Sequence, residues 1–158
     1  MQRLLNKLSS YPIVVIVLVT TTVSVSSSYL IWTTVVPWYE SLFGSVGGPR
    51  EFLDEFSVFV QITTAVFLVP LIETAVFQLL VIFLLLRFTR FSLWTVVSIS
   101  ALLFAATHHY SVFYIIYALW GGFIFATVFI ACLQKKGYGL AFWTVVLIHA
   151  LHNSFSFL

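Results

Sequence analysis

The stretch Phe56-Ser-Val-Phe-Val-Gln-Ile-Thr-Thr-Ala-Val-Phe-Leu-Val-Pro70-Leu-Ile-Glu73-Thr-Ala-Val-Phe-Gln78-Leu-Leu-Val-Ile-Phe-Leu-Leu-Leu86 decides the fold. As a helix its 31 residues would extend ~46 Å, against a hydrocarbon core of ~30 Å. Such a segment tilts, projects beyond the bilayer or bends, and Pro70 supplies a reason to bend. Glu73 is the only acidic side chain inside the long apolar stretches of the chain. An ionisable group in hydrocarbon costs several kcal/mol and persists where a polar partner or a chemical task holds it.

Composition points the same way. Of 158 residues, 61% are hydrophobic and 8% charged, so lipid is the solvent for most of the surface. Seventeen Phe, seven Tyr and five Trp suit a protein with aromatic belts at the membrane interfaces. A net charge of +2 is too small and too scattered for a nucleic-acid partner. Cys132 is the single cysteine, which excludes an internal disulfide and a multi-thiolate metal site.

Five apolar spans follow from the pattern: 11–36, 56–86, 91–107, 112–133 and 138–158. The first is rich in Val, Thr and Ser, which in water favour a strand; in lipid only a helix satisfies the backbone. The expected fold is therefore all-α, a polytopic transmembrane bundle of about five helices. Residues 1–55 form an N-terminal helix and outer loop, and 56–158 a core. Arg3 and Lys7 ahead of an apolar run, with Ser24 and Ser26 in small-residue spacing, also fit a signal peptide. Because apolar character continues through Tyr29, Leu30, Ile31 and Trp32, we read an uncleaved helix.

Arg3 and Lys7, Arg87 and Arg90, and Lys135 and Lys136 flank alternate connections, which five spans put on one side. The segment 37–55 carries Glu40, Glu51, Asp54 and Glu55 against Arg50 alone. The positive-inside bias makes the basic side cytoplasmic and the C-terminus external. The expected location is the cytoplasmic membrane of a prokaryote, with the lipid bilayer as a standing partner. Phe43-Gly-Ser-Val-Gly-Gly-Pro-Arg50 reads as a flexible turn, since no strand leads into it as a phosphate loop requires. Gly121 and Gly122 suit close packing between helices.

Three polar groups fall at one depth. Glu73 is ~21 Å from Arg87, His149 ~20 Å from Lys136 and His108 ~24 Å from Ser92, each along its own helix. His149 and Asn153, four apart, share a helical face, with His152 on a neighbouring flank. Phe104 stands one turn from His108, and Phe77 one turn from Glu73. Glu73, His108, His149 and Asn153 are the candidate catalytic residues. His109 and His152 read as structural or interfacial.

The same residues carry a resemblance. Pro70-Leu-Ile-Glu73-Thr-Ala-Val-Phe77-Gln78 resembles the first motif, Glu-Glu-x-x-x-Arg, of the CPBP family, which includes type II CAAX prenyl endopeptidases and bacteriocin-processing proteins. Phe104-Ala-Ala-Thr-His108 is similar to its second motif, Phe-x-x-x-His, and His149-Ala-Leu-His-Asn153 to its third, His-x-x-x-Asn. The three occur in order on separate spans, and the resemblance covers about two thirds of the chain. Thr74 replaces the usual second Glu and Gln78 the usual Arg, and a Thr74–Gln78 hydrogen bond would stand in for their ion pair. The first Glu, which the resemblance makes catalytic, is Glu73.

The resemblance implies an intramembrane endopeptidase acting on a peptide or lipidated peptide near or within the membrane. In one scheme Glu73, helped by His108, deprotonates a water, and His149 and Asn153 stabilise the oxyanion. In the other, Glu73 and the histidines hold a divalent metal such as zinc. The absence of His-Glu-x-x-His, and an amide as a poor zinc ligand, favour the first. No cofactor is certain. A catalytically inactive relative acting as an interaction or immunity protein is the alternative, favoured by Thr74 and Gln78. A proton or solute carrier is a third reading, disfavoured by small size and the absence of inverted repeats.

Overall fold

The computed structural model describes residues 2–155, all of whose regular elements are helical. In chain order they are α1 (Gln2–Ser10), α2 (Ile13–Phe43), α3 (Arg50–Leu53), α4 (Val58–Phe88), α5 (Leu93–Ala106) and α6 (Val112–Ser154). Three of them, α2, α4 and α6, are long and apolar enough to cross a membrane, and α5 is a shorter apolar helix. The chain is an all-α, integral membrane bundle. Residues 156–158, assigned to the fifth span, lie outside the described residues.

The helix α6 is two helices in one. At Gly137 the backbone takes φ 77° and ψ 171°, a left-handed conformation that costs glycine little. Phe125 meets His149 and Phe129 meets Tyr138 across this break, so the two limbs run antiparallel. Counting them separately recovers five apolar segments. At 14 residues, α5 is ~21 Å long and does not itself match a ~30 Å core. Its hydrogen-bonded turns end at Ala106 because the chain must leave for Ser111, whose hydroxyl accepts from the Tyr114 N–H to start α6.

Pro70 does not act alone on α4. It has no N–H to offer the preceding turn, and π-helical stretches occupy both sides of it, Thr63–Leu68 and Thr74–Val81. The expected bend is thus expressed as widened turns in the segment that carries Glu73. Such turns recur at functional sites because they re-aim side chains without ending a helix.

The helix α6 is the hub. The whole of α6 packs against α5, α2, α1 and α4, and Phe129, Ala126 and Ala131 of the first limb are completely buried. Gly122 allows the α5 contact: a Cβ there would meet Ala101 Cα at 3.0 Å and the Phe104 ring at 3.1 Å. Gly121 has only Phe125 nearby, at 3.9 Å. The close-packing role anticipated for the pair belongs to Gly122. The helix α1, which the span pattern did not separate from the basic N-terminal flank, buries Leu5 and Ser9 against the bundle and leaves Arg3 and Lys7 exposed.

Candidate active site

The site begins with the carboxyl end of α5. The last carbonyls of a helix have no partner within it, and the Phe104 carbonyl is met by the His108 ring, with Nδ1 at 2.9 Å, and by the Thr107 hydroxyl at 2.7 Å. Four-residue spacing thus folds the imidazole back onto its own helix. The carbonyl only accepts, so Nδ1 carries the hydrogen and, in a neutral ring, Nε2 presents a lone pair. Ring contacts fix the imidazole further. Phe104 lies 4.6 Å away centroid to centroid, and Tyr114 stacks at 6.0 Å with planes 12° apart.

Phe104 is the pivot beneath the polar groups. It meets Phe77 edge-on at 5.7 Å, Phe125 at 6.0 Å and His149 at 5.9 Å. Each such pair contributes ~0.5–1.5 kcal/mol beyond area burial, enough to hold three helices in register around one side chain.

Glu73 sits between two imidazoles. Its Oε1 is 3.6 Å from His108 Nε2 and its Oε2 is 3.6 Å from His149 Nε2. Both distances exceed a direct hydrogen bond. His149 is almost wholly buried, and its Nδ1 has no partner among the described residues. The tautomer with hydrogen on Nε2 leaves only a lone pair unpaired there and aims an N–H at the carboxylate. The two histidines therefore present opposite faces to Glu73, a lone pair from His108 and a donor from His149.

Asn153 lies one turn beyond His149, and its amide donates to the Ala65 carbonyl on α4 at 2.8 Å. It bridges the second limb of α6 to the π stretch before Pro70. One amide hydrogen remains to give. All four candidates line one cavity of about 250 Å³ with Ser24, Ser28, Tyr114, Tyr117 and His152. His109 is exposed, stacks on Tyr110 and does not line the cavity. Pro49 and Leu53 also line the cavity, and Gly48 abuts the Tyr114 ring, where a Cβ would stand 3.4 Å from it. The glycine-rich segment read as a flexible turn packs against the cavity through Gly48 and Pro49.

One expectation needs correction. Thr74 and Gln78 are fully buried, but neither bonds the other: Thr74 Oγ1 and both polar atoms of Gln78 have no partner among the described residues. In a π stretch the four-residue spacing no longer matches one turn, so the proposed substitute for an ion pair is not formed. Glu73, for its part, turns to the histidines. The residues that reasoning from sequence missed are Tyr114, Tyr117, Ser24 and Ser28. The i, i+4 pair Ser24 and Ser28 in a membrane helix was the available signal.

The residues do not present a converged set of metal ligands. Among the described residues no group of three or more His, Cys, Asp or Glu side chains has metal-holding geometry. His108 and His149 approach different oxygens of the carboxylate.

No curated protein and no solved structure matches the chain. A family model described as Type II CAAX prenyl endopeptidase Rce1-like matches residues 55–155. That segment holds α4, α5 and both limbs of α6, with Glu73, His108, His149 and Asn153 in one cavity, and the chain belongs to this family.

Proposed function

We propose that the protein is an intramembrane endopeptidase that hydrolyses a peptide bond of a lipidated peptide in the cytoplasmic membrane of a prokaryotic cell. The observation that carries this reading is the carboxylate held 3.6 Å from each of two imidazoles of opposite polarity. Glu73, with the His108 lone pair beside it, takes a proton from water as the oxygen bonds to the scissile carbonyl carbon. The carbonyl oxygen gains charge, and His149 Nε2–H and the free amide hydrogen of Asn153 are the donors for it. Collapse breaks the C–N bond, and the proton held by Glu73 passes to the departing nitrogen. Burial of the whole site strengthens each of these interactions relative to water.

No metal enters this scheme. The test is hydrolysis of S-farnesylated CAAX peptides by purified protein in lipid nanodiscs. Wild type is expected to cleave, and Glu73→Gln, His108→Ala and His149→Ala to abolish cleavage while remaining inserted and folded. Full hydrolysis by Glu73→Gln would sink the reading.

A further inference from the structure

A second polar group lines the same cavity, and two of its members, Ser24 and Ser28, lie outside the matched residues. The helix α2 contributes Ser24 and Ser28; the limbs of α6 contribute Tyr117 and His152. Ser24 Oγ lies 2.6 Å from His152 Nδ1, and His152 Nε2 lies 3.3 Å from the Tyr117 hydroxyl. Tyr117 in turn donates to Ser28 Oγ at 2.9 Å. Neighbouring bonds buttress the row, with Trp120 Nε1 donating to Ser27 Oγ at 3.1 Å and Ser27 donating to the Ser24 carbonyl at 2.9 Å.

The hydrogens in this row have one consistent order. Because Tyr117 gives its proton to Ser28, its oxygen can only accept from His152, which places hydrogen on Nε2. A neutral His152 then accepts at Nδ1, and Ser24 is the donor. Among the described residues no carboxylate is a hydrogen-bond partner of this imidazole. Polarity therefore runs Ser24, His152, Tyr117, Ser28, and each bond strengthens the next. The row ends on Ser28, whose hydroxyl accepts from Tyr117 and has no acceptor of its own among the described residues. A half-exposed donor is left facing a cavity inside an apolar bundle.

A peptide unwound for cleavage exposes main-chain carbonyls, and each left unpaired in such surroundings costs several kcal/mol. We propose that Ser28 is a substrate-binding residue that donates to a main-chain carbonyl of the bound peptide, and that Ser24, His152 and Tyr117 are positioning residues that hold its hydroxyl as a donor. This rests on the peptidase reading and extends the binding site to α2. The hydrogen left at the end of the row is the group offered to a carbonyl oxygen, since one lone pair of Ser28 Oγ is already taken by Tyr117.

The test is a thioamide scan of an S-farnesylated CAAX peptide, replacing one carbonyl oxygen by the weaker acceptor sulfur at a time. Kinetics are read in nanodiscs for wild type, Ser28→Ala and Ser28→Thr. Ser28→Ala is expected to raise KM about tenfold, as loss of one hydrogen bond does, with the smaller effect on kcat. Ser28→Thr, which keeps the hydroxyl, is expected to restore KM. One thioamide position is expected to weaken binding to wild type and to have no further effect in Ser28→Ala. An unchanged KM in Ser28→Ala, or thioamide penalties identical in both proteins at every position, would overturn the proposal. The same scan by direct peptide binding to Glu73→Gln separates the two readings. Ser28-dependent binding without wild-type cleavage would overturn the peptidase reading and keep the subsite. Neither cleavage nor binding would overturn both.

Discussion

At the scale of single residues, four-residue spacing places the polar groups. Phe104 and His108 are four apart, and the structure uses that spacing to return the imidazole to the Phe104 carbonyl. His149 and Asn153 share a face, as 3.6-residue periodicity requires. The donors left for chemistry depend on contacts made far away in the chain. Asn153 spends one amide hydrogen on Ala65, 88 residues away in sequence. With one hydrogen left to give, Asn153→Ala is expected to lower kcat for peptide hydrolysis by about 10-fold to 10³-fold, as removal of an oxyanion donor does. Asn153→Asp, which keeps size but replaces the donor with an acceptor, is expected to rescue nothing. An Asn153→Ala protein with wild-type kcat would leave only the bridge to α4 as its role.

Elements are set in place by close approach as much as by hydrophobicity. The α5–α6 contact depends on the missing side chain of Gly122, since Ala101 backbone atoms stand 3.0 and 3.1 Å from where a Cβ would lie. Backbone cannot yield as a flexible side chain does, so Gly122→Ala is expected to destabilise the protein by ~1–3 kcal/mol. It also pushes on Phe104, the ring that supports both imidazoles. Thermal unfolding in detergent is expected to show a lowered midpoint for Gly122→Ala and little change for Gly121→Ala. Equal midpoints for the two variants would remove the close contact as an explanation. The sequence marked both glycines as candidates, but only the packing partner tells them apart. Likewise α1 carried a readable pattern, Leu4, Leu5 and Leu8 against Arg3 and Lys7, that a search for long spans passes over.

At the scale of the whole molecule, hydropathy and the basic connections carry most of the architecture. Five apolar segments are present once the limbs of α6 are separated at Gly137. Six of the seven basic residues, all but Arg50, are expected on the cytoplasmic side. Reporter fusions after Arg50, Arg90, Lys136 and Leu158 are expected to read outside, inside, inside and outside; a cytoplasmic C-terminus would sink this topology. Cleavage is expected to survive exhaustive chelation, measured against the same preparation before treatment. Loss restored by stoichiometric zinc would make Glu73, His108 and His149 ligands. The pairing of Ser24 with His152 across 128 residues was beyond reach of the sequence, since serines in a membrane helix look alike until a partner faces one of them.

The π stretches of α4 bear on how the chain tolerates losing a residue. A turn closed from i to i+5 holds one residue more than a turn closed from i to i+4. Deleting Phe67, within Thr63–Leu68, lets that stretch tighten to ordinary helix while the segments on either side keep their facing. Deleting Ile72, in the α-helical stretch Val69–Glu73, instead rotates everything beyond it by ~100° relative to what precedes. Both side chains are similarly exposed on the apolar surface, at 62% and 59%, so the loss of packing is comparable. The first deletion is expected to leave Glu73 between its imidazoles and cleavage measurable, and the second to abolish it. In α4, one shortening of the gene is absorbed as slack and another, five codons on, is not.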